Sequence, residues 1–243
     1  PGFTGFVARG VCTEDGKSFY YNSSRDQYTH CVHGLWKYYD SPLADEDGKQ
    51  LVCSILADIA ERMHKNVVSD NNYDFLRADG KQCPLGICRM WNVAPHEAAR
   101  LPMFYAAAWH VTQNRKYYDL YRSYIHEAIE QSERIGNNYS AYVYLQMMYS
   151  FDLLLDLETE PSLQQRLHKL IERVGKLAFE RSVYCLKEIN KIDKTELSML
   201  GPDWRFVKEW HTQNGYRIPR WGEYRNIWHI VREAGESALV VFM

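Results

Sequence analysis

The chain has 243 residues, 46% of them hydrophobic and 14% aromatic, so it is long enough and apolar enough to bury a substantial core. Its formal net charge is −2, which leaves no positive excess for a nucleic-acid surface. No apolar run approaches the ~20 residues that a membrane-spanning helix requires, so the sequence predicts neither nucleic-acid nor membrane binding.

Residues 1–23 are rich in Gly, aromatic and β-branched residues and show no helical period. We expect an extended, irregular segment here, with a short strand pair around residues 14–17. The chain begins at Pro1 without a signal-peptide pattern, so a processed periplasmic or secreted protein and a cytoplasmic protein both stay open. We therefore divide the chain into this segment and a helical domain, residues 24–243.

Helical periodicity begins after the first segment. Ser24 and Gln27 fit the S-x-x-Q capping box and place the first helix start at Arg25. The predicted helices span residues 25–39, 45–66, 95–112, 116–134, 139–157, 162–190, and from near 224 or 228 to the end. Pro102 lies inside the third pattern, where proline predicts either a kink or a later start. Residues 68–94 form a long loop that we expect to be ordered, and residues 201–226 are irregular.

The six cysteines leave the redox compartment open. Three of them fall in apolar helical patterns, where a thiol packs as a small hydrophobe: Cys31, Cys53 and Cys185. Cys83 and Cys88 bracket a Pro-Leu-Gly-Ile loop and fit either a disulfide or half of a metal site. Because no second cysteine pair has zinc spacing, the sequence predicts no metal. No phosphate loop or dinucleotide fingerprint appears either, so it predicts no cofactor.

The predicted helices alternate in character along the chain. Helices one, three and five are rich in aromatic and small apolar residues on more than one side, whereas helices two, four and six carry a charged face. A helix that is apolar around its circumference is buried, and a striped helix faces water on one side. The alternation predicts an all-α fold in which inner helices are wrapped by outer ones.

The turn between helices three and four carries a resemblance to a known family. Its sequence, VTQNRKYYDLY (residues 111–121), resembles the Thr-Gly-Asp-x-x-Tyr-like turn of the six-hairpin (α/α) toroid, with Gln113 and Asn114 in place of Gly-Asp. Together with the helix alternation, it makes residues 24–243 similar to this glycosidase-like superfamily of glycoside hydrolases and related polysaccharide lyases. The resemblance implies an (α/α) helical-hairpin toroid or, because too few helices are predicted for six hairpins, a partial toroid.

In such toroids the starts of the inner helices line one cavity, and the resemblance implies that the site lies there. Asp26 and Glu97 would then supply the two carboxyl groups that glycosidic hydrolysis requires, with His96 beside them as a third catalytic candidate. The structural alternatives are an Asp26 carboxylate stabilised by the helix dipole and a salt bridge between Glu97 and Arg100 at i,i+3.

The remaining candidates are substrate-binding groups at or near the starts of helices one, three, five and seven. They are Arg25, His30, Arg89, Trp91, Asn138, Tyr139, Tyr142, His229 and Glu233. Trp91 beside Arg89 would offer an aromatic platform and a guanidinium group, which suits an acidic sugar. Glu233 is a reserve carboxylate. With His229 it would supply only two metal ligands, which is too few to predict a metal.

The resemblance implies an enzyme of carbohydrate metabolism that hydrolyses a glycosidic bond in an oligo- or polysaccharide. Two alternatives stay open. One is a polysaccharide lyase acting on a uronate-containing glycan, with His96 or His30 as base and Tyr139, Arg25 and Asn138 around the substrate. The other is a non-catalytic carbohydrate-binding or scaffold protein whose aromatic residues are mostly core. The oligomeric state is not predicted.

Overall fold

The computed structural model describes residues 3–191 and 227–243, without the side chains of residues 85 and 227–230. Over these residues the protein is helical, which confirms the all-α class. The helices are α1 (Arg25–Tyr39), α2 (Glu46–Asn66), α3 (Arg100–Thr112), α4 (Arg115–Ser132), α5 (Ala141–Leu157), α6 (Pro161–Ile189) and α7 (Ile227–Phe242). The irregular stretch predicted at residues 201–226 lies outside the described residues.

The chain forms two compact units, and α5 and α6 each contribute residues to both. The first unit contains Pro1–Arg134 and Tyr149–Leu170, and the second contains Ile135–Met148 and Ile171–Met243. The N-terminal segment and α1–α4 therefore belong to the first unit. None of the described helices combines the length and the apolar character that a bilayer span requires.

In the first unit, α3 packs against α1, α2 and α4. Every residue from Arg100 to Ala108 is buried, as expected of a helix that is apolar around its circumference. This helix begins at Arg100 and not at the predicted Pro95, because residues 95–99 form turns. Pro102 then stands in the first helical turn, where its missing N–H leaves no hydrogen bond unmade.

α1 differs from the prediction, because it is buried on one stripe only. The buried side chains are Tyr28, Thr29, Val32 and Trp36. Their spacing of three or four residues follows one face of the helix. The expectation that α1 is buried on more than one side is therefore wrong, and its other faces carry polar groups that reach solvent.

The N-terminal segment is tied to α1 by hydrogen bonds. The Tyr28 hydroxyl donates to the Gly5 carbonyl at 2.9 Å and accepts the Val7 N–H at 3.2 Å. A single antiparallel bridge between Val11 and Phe19 stands where the sequence predicts a strand pair. The segment is irregular, as predicted, but it packs within the first unit.

The junction between α3 and α4 is a tight turn made by Gln113 and Asn114. Gln113 adopts a left-handed backbone with φ of 55°, and its N–H donates to the Trp109 carbonyl at 2.7 Å. Glycine favours this conformation, and here a glutamine adopts it at the C-terminus of α3. Asn114 caps α4, since its side chain accepts the Lys116 N–H at 3.0 Å.

The second unit is organised around the later part of α6. The buried residues here recur at spacings of three and four: Val174, Ala178, Arg181 and Cys185. The Arg173 side chain donates to the Ile135 carbonyl at 2.6 Å, and the Tyr144 hydroxyl donates to the Gly136 carbonyl at 2.8 Å. Hydrogen bonds therefore hold the chain that leads into α5.

Candidate functional site

α1 begins where the sequence predicts, although the cap differs. In the described part of the chain, the Ser24 hydroxyl donates to the Gln27 side chain and does not cap a backbone N–H. The two capping-box residues therefore contact each other. The helix start is held instead by the loop before α3, because the Arg25 N–H donates to the Ile87 carbonyl at 3.1 Å.

The Arg25 side chain joins that loop to a carboxylate. Its Nη1 donates to the Gly86 carbonyl at 2.6 Å and to the Arg89 carbonyl at 2.8 Å. Its Nη2 lies 2.6 Å from Glu97 Oε1. Two carbonyls and one carboxylate thus fix the guanidinium group, so Arg25 orients Glu97 at the start of α1.

A second ion pair crosses between the same two elements. Arg100 Nη1 donates to Asp26 Oδ1 at 2.7 Å. The Arg100 side chain is only 2% exposed, whereas Asp26 is 33% exposed. Glu97 and Arg100 do not form the expected i,i+3 ion pair. Glu97 lies in the turn before α3 and pairs with Arg25, and Arg100 pairs with Asp26. We call Arg25, Asp26, His96, Glu97 and Arg100 the charge cluster.

His96 is the neutral member of the charge cluster. Its Nε2 lies 3.6 Å from Glu97 Oε1. Burial lowers the pKa of His96 to about 4. The guanidinium groups of Arg100 and Arg25 also lower it, whereas the carboxylates of Glu97 and Asp26 oppose the shift. The imidazole is therefore uncharged at neutral pH.

His30 follows Asp26 by one turn of α1, and its ring meets that of Tyr149 edge-on at 5.2 Å. Its side chain still reaches solvent, but the protein atoms packed around the ring lower its pKa. Arg100 adds to that effect and Asp26 opposes it. The pKa of His30 is therefore influenced by Asp26 and Arg100, two members of the charge cluster.

One functional candidate was missed by the sequence reading. Asp152 of α5 lies 2.8 Å from His33 Nε2 and 3.0 Å from Lys37 Nζ. Burial alone would raise the pKa of Asp152, but hydrogen bonds from His33 and Lys37 outweigh it and leave this pKa below its ordinary value. An isolated acid within the apolar sequence of α5 was the available signal. His33 continues the α1 face that carries Asp26 and His30.

Trp91 and Arg89 do not form the expected open platform. The Trp91 residue is only 7% exposed, and its ring packs edge-on against Tyr124 at 4.7 Å. Arg89 Nε donates to the Trp91 carbonyl at 3.1 Å. Trp91 is therefore a core residue and not the expected exposed platform, because its indole packs against Tyr124 of α4. Arg89 contributes its carbonyl to Arg25.

The other predicted substrate-binding residues belong to the second unit. Asn138 is exposed and Tyr139 half-buried, and the Arg232 guanidinium lies 5.5 Å from the centre of the Tyr142 ring. Glu233 is buried, pairs with Arg181 and accepts the N–H of Ala141. The reserve catalytic role for Glu233 is therefore corrected to a structural one, because its carboxylate is enclosed. The His229 side chain lies outside the description.

The charge cluster can perform proton transfer but has no set of metal ligands. Within residues 3–191 and 227–243, no three His, Cys, Asp or Glu side chains are grouped so that they would hold a metal ion.

Comparison with protein-family models, with curated proteins and with solved structures gives no match to this chain.

Proposed function

We propose that this chain is a carbohydrate-active enzyme that hydrolyses a glycosidic bond at the charge cluster. The observation that supports the proposal is the meeting of two carboxylates, from the start of α1 and the turn before α3, with two guanidinium groups and a neutral imidazole. Glycosidic hydrolysis requires two carboxyl groups, one as acid and one as base or nucleophile. Asp26 and Glu97 are assigned these two parts.

Asp26 acts as the base or nucleophile in this proposal. It stands in the first turn of α1, where the helix dipole and the Arg100 guanidinium both favour an ionised carboxylate. One third of its side chain is exposed, so it also meets water. An ionised carboxylate in contact with water is what activation of a water molecule requires.

Glu97 acts as the acid. Its Oε1 is held by Arg25 at 2.6 Å, and the side chain is otherwise largely buried. In this role its carboxyl group donates a proton to the leaving glycosidic oxygen.

The (α/α) toroid arrangement is part of the same proposal. The left-handed Gln113 and the helix-capping Asn114 support it, since they fill the roles that Gly and Asp would have in the toroid turn. In a partial toroid, the starts of α1 and α3 would face one cavity and present the charge cluster to a sugar.

A polysaccharide lyase is the second candidate, and the neutral His96 favours it. A lyase needs an uncharged base, and the lowered pKa of His96 keeps its imidazole uncharged at pH 7. A lyase also needs a cation for the uronate carboxylate. Both guanidinium groups of the charge cluster are already paired with carboxylates, so we rank hydrolysis first.

The test is a panel of oligo- and polysaccharides offered to the wild-type chain and to single variants. We expect release of reducing ends by the wild-type chain. Asp26→Asn and Glu97→Gln should each lower that activity by at least about 10²-fold, since each removes one half of an acid–base pair. Absorbance from an unsaturated uronate, measured in parallel, identifies the lyase reaction instead.

The matched control is Asp40→Asn. Asp40 caps the opposite end of α1 and lies within hydrogen-bond distance of His110 at 3.1 Å, so it is a partnered acid away from the charge cluster. This variant should keep wild-type activity. Full activity in Asp26→Asn would contradict the proposal. Silence in both assays, with a sugar-dependent change in tryptophan fluorescence, would replace it with a binding function.

A further inference from the structure

Two thiols lie side by side beneath the start of α1. Cys83 and Cys88 are both buried, and their sulfurs share one acceptor, the Ser23 carbonyl, at 4.0 and 3.3 Å. The Cys83 thiol also donates to Asn22 Oδ1 at 3.7 Å. This pair is the part of the loop that the proposed hydrolysis does not use.

The backbone holds both thiols in place. The Cys83 N–H donates to Asp74 Oδ2 at 3.2 Å, and the Cys88 carbonyl accepts the Phe75 N–H at 3.1 Å. Between them, Pro84–Gly86 forms one turn of 3₁₀ helix, which folds the loop back on itself. The two cysteines therefore meet because the loop is anchored on one neighbouring segment at both ends.

The same loop holds the charge cluster. The Gly86 and Ile87 carbonyls, which lie between the two cysteines, accept hydrogen bonds from the Arg25 side chain and backbone. Arg25 in turn binds Glu97. A covalent bond between Cys83 and Cys88 would close a ring that contains both of these carbonyls.

We propose that Cys83 and Cys88 form a disulfide when the protein folds in an oxidising environment, and that this disulfide stabilises the loop that holds Arg25. Half of a metal site is the competing explanation. Among the described residues, no third His, Cys, Asp or Glu side chain completes a metal site with this pair.

The oxidant is a low-molecular-weight disulfide such as oxidised glutathione. One cysteine thiolate attacks the glutathione disulfide, releases one glutathione thiol and leaves a mixed disulfide on the protein. The second cysteine loses its proton and displaces the other glutathione, which forms the protein disulfide. Two electrons and two protons pass from the cysteine pair to glutathione, which is reduced to two thiols.

The bond should form during folding and not afterwards. Burial, together with the neighbouring Cys83 thiol, raises the pKa of the Cys88 thiol in the folded protein. The thiolate is the reacting form, so its scarcity slows oxidation once the loop has closed. The same burial protects the finished disulfide from reduction.

The experiment refolds the full chain from a reduced, denatured state in a buffer of reduced and oxidised glutathione. Free thiols are then alkylated, and the protein is digested without reduction for peptide mass spectrometry. We expect one linked peptide joining Cys83 to Cys88. The oxidised protein should melt roughly 5 °C higher than the reduced protein, since closing a short loop restricts the unfolded chain.

Two variants and a metal assay complete the test. Cys31→Ser, on α1, should keep the linked peptide, whereas Cys83→Ser should leave Cys88 open to alkylation. The wild-type map carries the test even where a variant folds poorly. Alkylation of both cysteines in the refolded wild-type chain, or a link from either one to another cysteine, would overturn the proposal. Stoichiometric zinc that is retained by the wild-type chain and lost in Cys83→Ser would overturn it in favour of a metal site.

Discussion

Each unit contains a buried arginine paired with a carboxylate, and the two pairs differ in their access to water. In the second unit, the Arg181 and Glu233 side chains are 1% and 4% exposed. In the first unit, Arg100 is equally buried, but its partner Asp26 is 33% exposed. Glu233 is further fixed by the N–H at the start of α5, whereas Asp26 stands beside histidines.

The difference separates a folding contact from a candidate site. An enclosed pair has no route to a ligand, and removing one partner leaves an uncompensated charge in the interior. A pair with one exposed partner can exchange that contact at a lower cost. The pair in the first unit is therefore the candidate for chemistry, whereas removing one partner of the pair in the second unit should cost more folding stability.

The largest expected effect is at the enclosed pair. Glu233→Gln should lower the free energy of unfolding by about 3–5 kcal/mol, because the Arg181 guanidinium is left buried without its counter-charge. Denaturant unfolding measures this loss. The double variant Arg181→Met with Glu233→Leu should recover most of it, since it removes both charges. A loss below about 1 kcal/mol in Glu233→Gln would mean that the pair is not enclosed.

The second effect is a pH dependence of the free energy of unfolding that arises from His96 in the charge cluster. The folded state lowers the pKa of His96 to about 4, so between that value and about 6.5 the unfolded chain binds the proton more tightly. The stabilisation from neutral His96 is complete above pH 6.5 and is lost as the pH falls towards 4. Between these pH values, wild-type protein should lose roughly 2–3 kcal/mol more than His96→Gln.

The control for this pH dependence is His126→Gln, which removes an exposed histidine from α4. Its stability should follow the wild-type curve at every pH. Parallel curves for wild-type protein and His96→Gln, measured by denaturant unfolding from pH 4 to pH 7, would show that His96 is not held neutral by the fold.

The third effect compares Asp26 directly with Glu233. Asp26→Asn should cost about 1–2 kcal/mol, because the amide oxygen still accepts from Arg100 and water screens the exposed side. The same unfolding experiment measures it. A cost equal to that of Glu233→Gln would remove the distinction between the open and the enclosed pair. The activity loss expected for Asp26→Asn is thus larger than its folding defect explains.

The smallest effect is at a pair in which both partners are exposed. Lys116 Nζ lies 2.7 Å from Glu61 Oε2, with the two side chains 42% and 46% exposed. Lys116→Met should change the free energy of unfolding by less than about 0.5 kcal/mol, because water and salt screen the charges. Added salt should reduce even that difference. A cost above about 1 kcal/mol would show that exposure does not rank these ion pairs.

The helices were largely predictable from local patterns. The predicted bounds of α1 coincide with those observed, and Asp45 caps α2 by accepting the Gly48 N–H at 2.8 Å. These features depend on the spacing of apolar residues and on capping groups within a few positions. α3 was misplaced at its start because a proline at residue 95 and another at residue 102 both suit a first helical turn.

The candidate site was only partly predictable. The sequence brought Asp26, Glu97 and His96 to one level, but it paired Glu97 with the wrong arginine. Asp152 was missed because its partner His33 lies 119 positions away in the chain. The sequence does not distinguish an exposed platform from a covered indole at Trp91, because an aromatic residue in a loop has the same local pattern in both cases.

The sequence by itself determined the helical class and most of the helix ends, because those depend on contacts between residues at most four positions apart. Only the tertiary structure decided which charges meet and which of them water reaches. The Arg100–Asp26 contact spans 74 positions, so the packing of α1 against α3 had to create it. The same packing leaves Asp26 partly exposed and closes Arg100 off, and that asymmetry makes the charge cluster a candidate site.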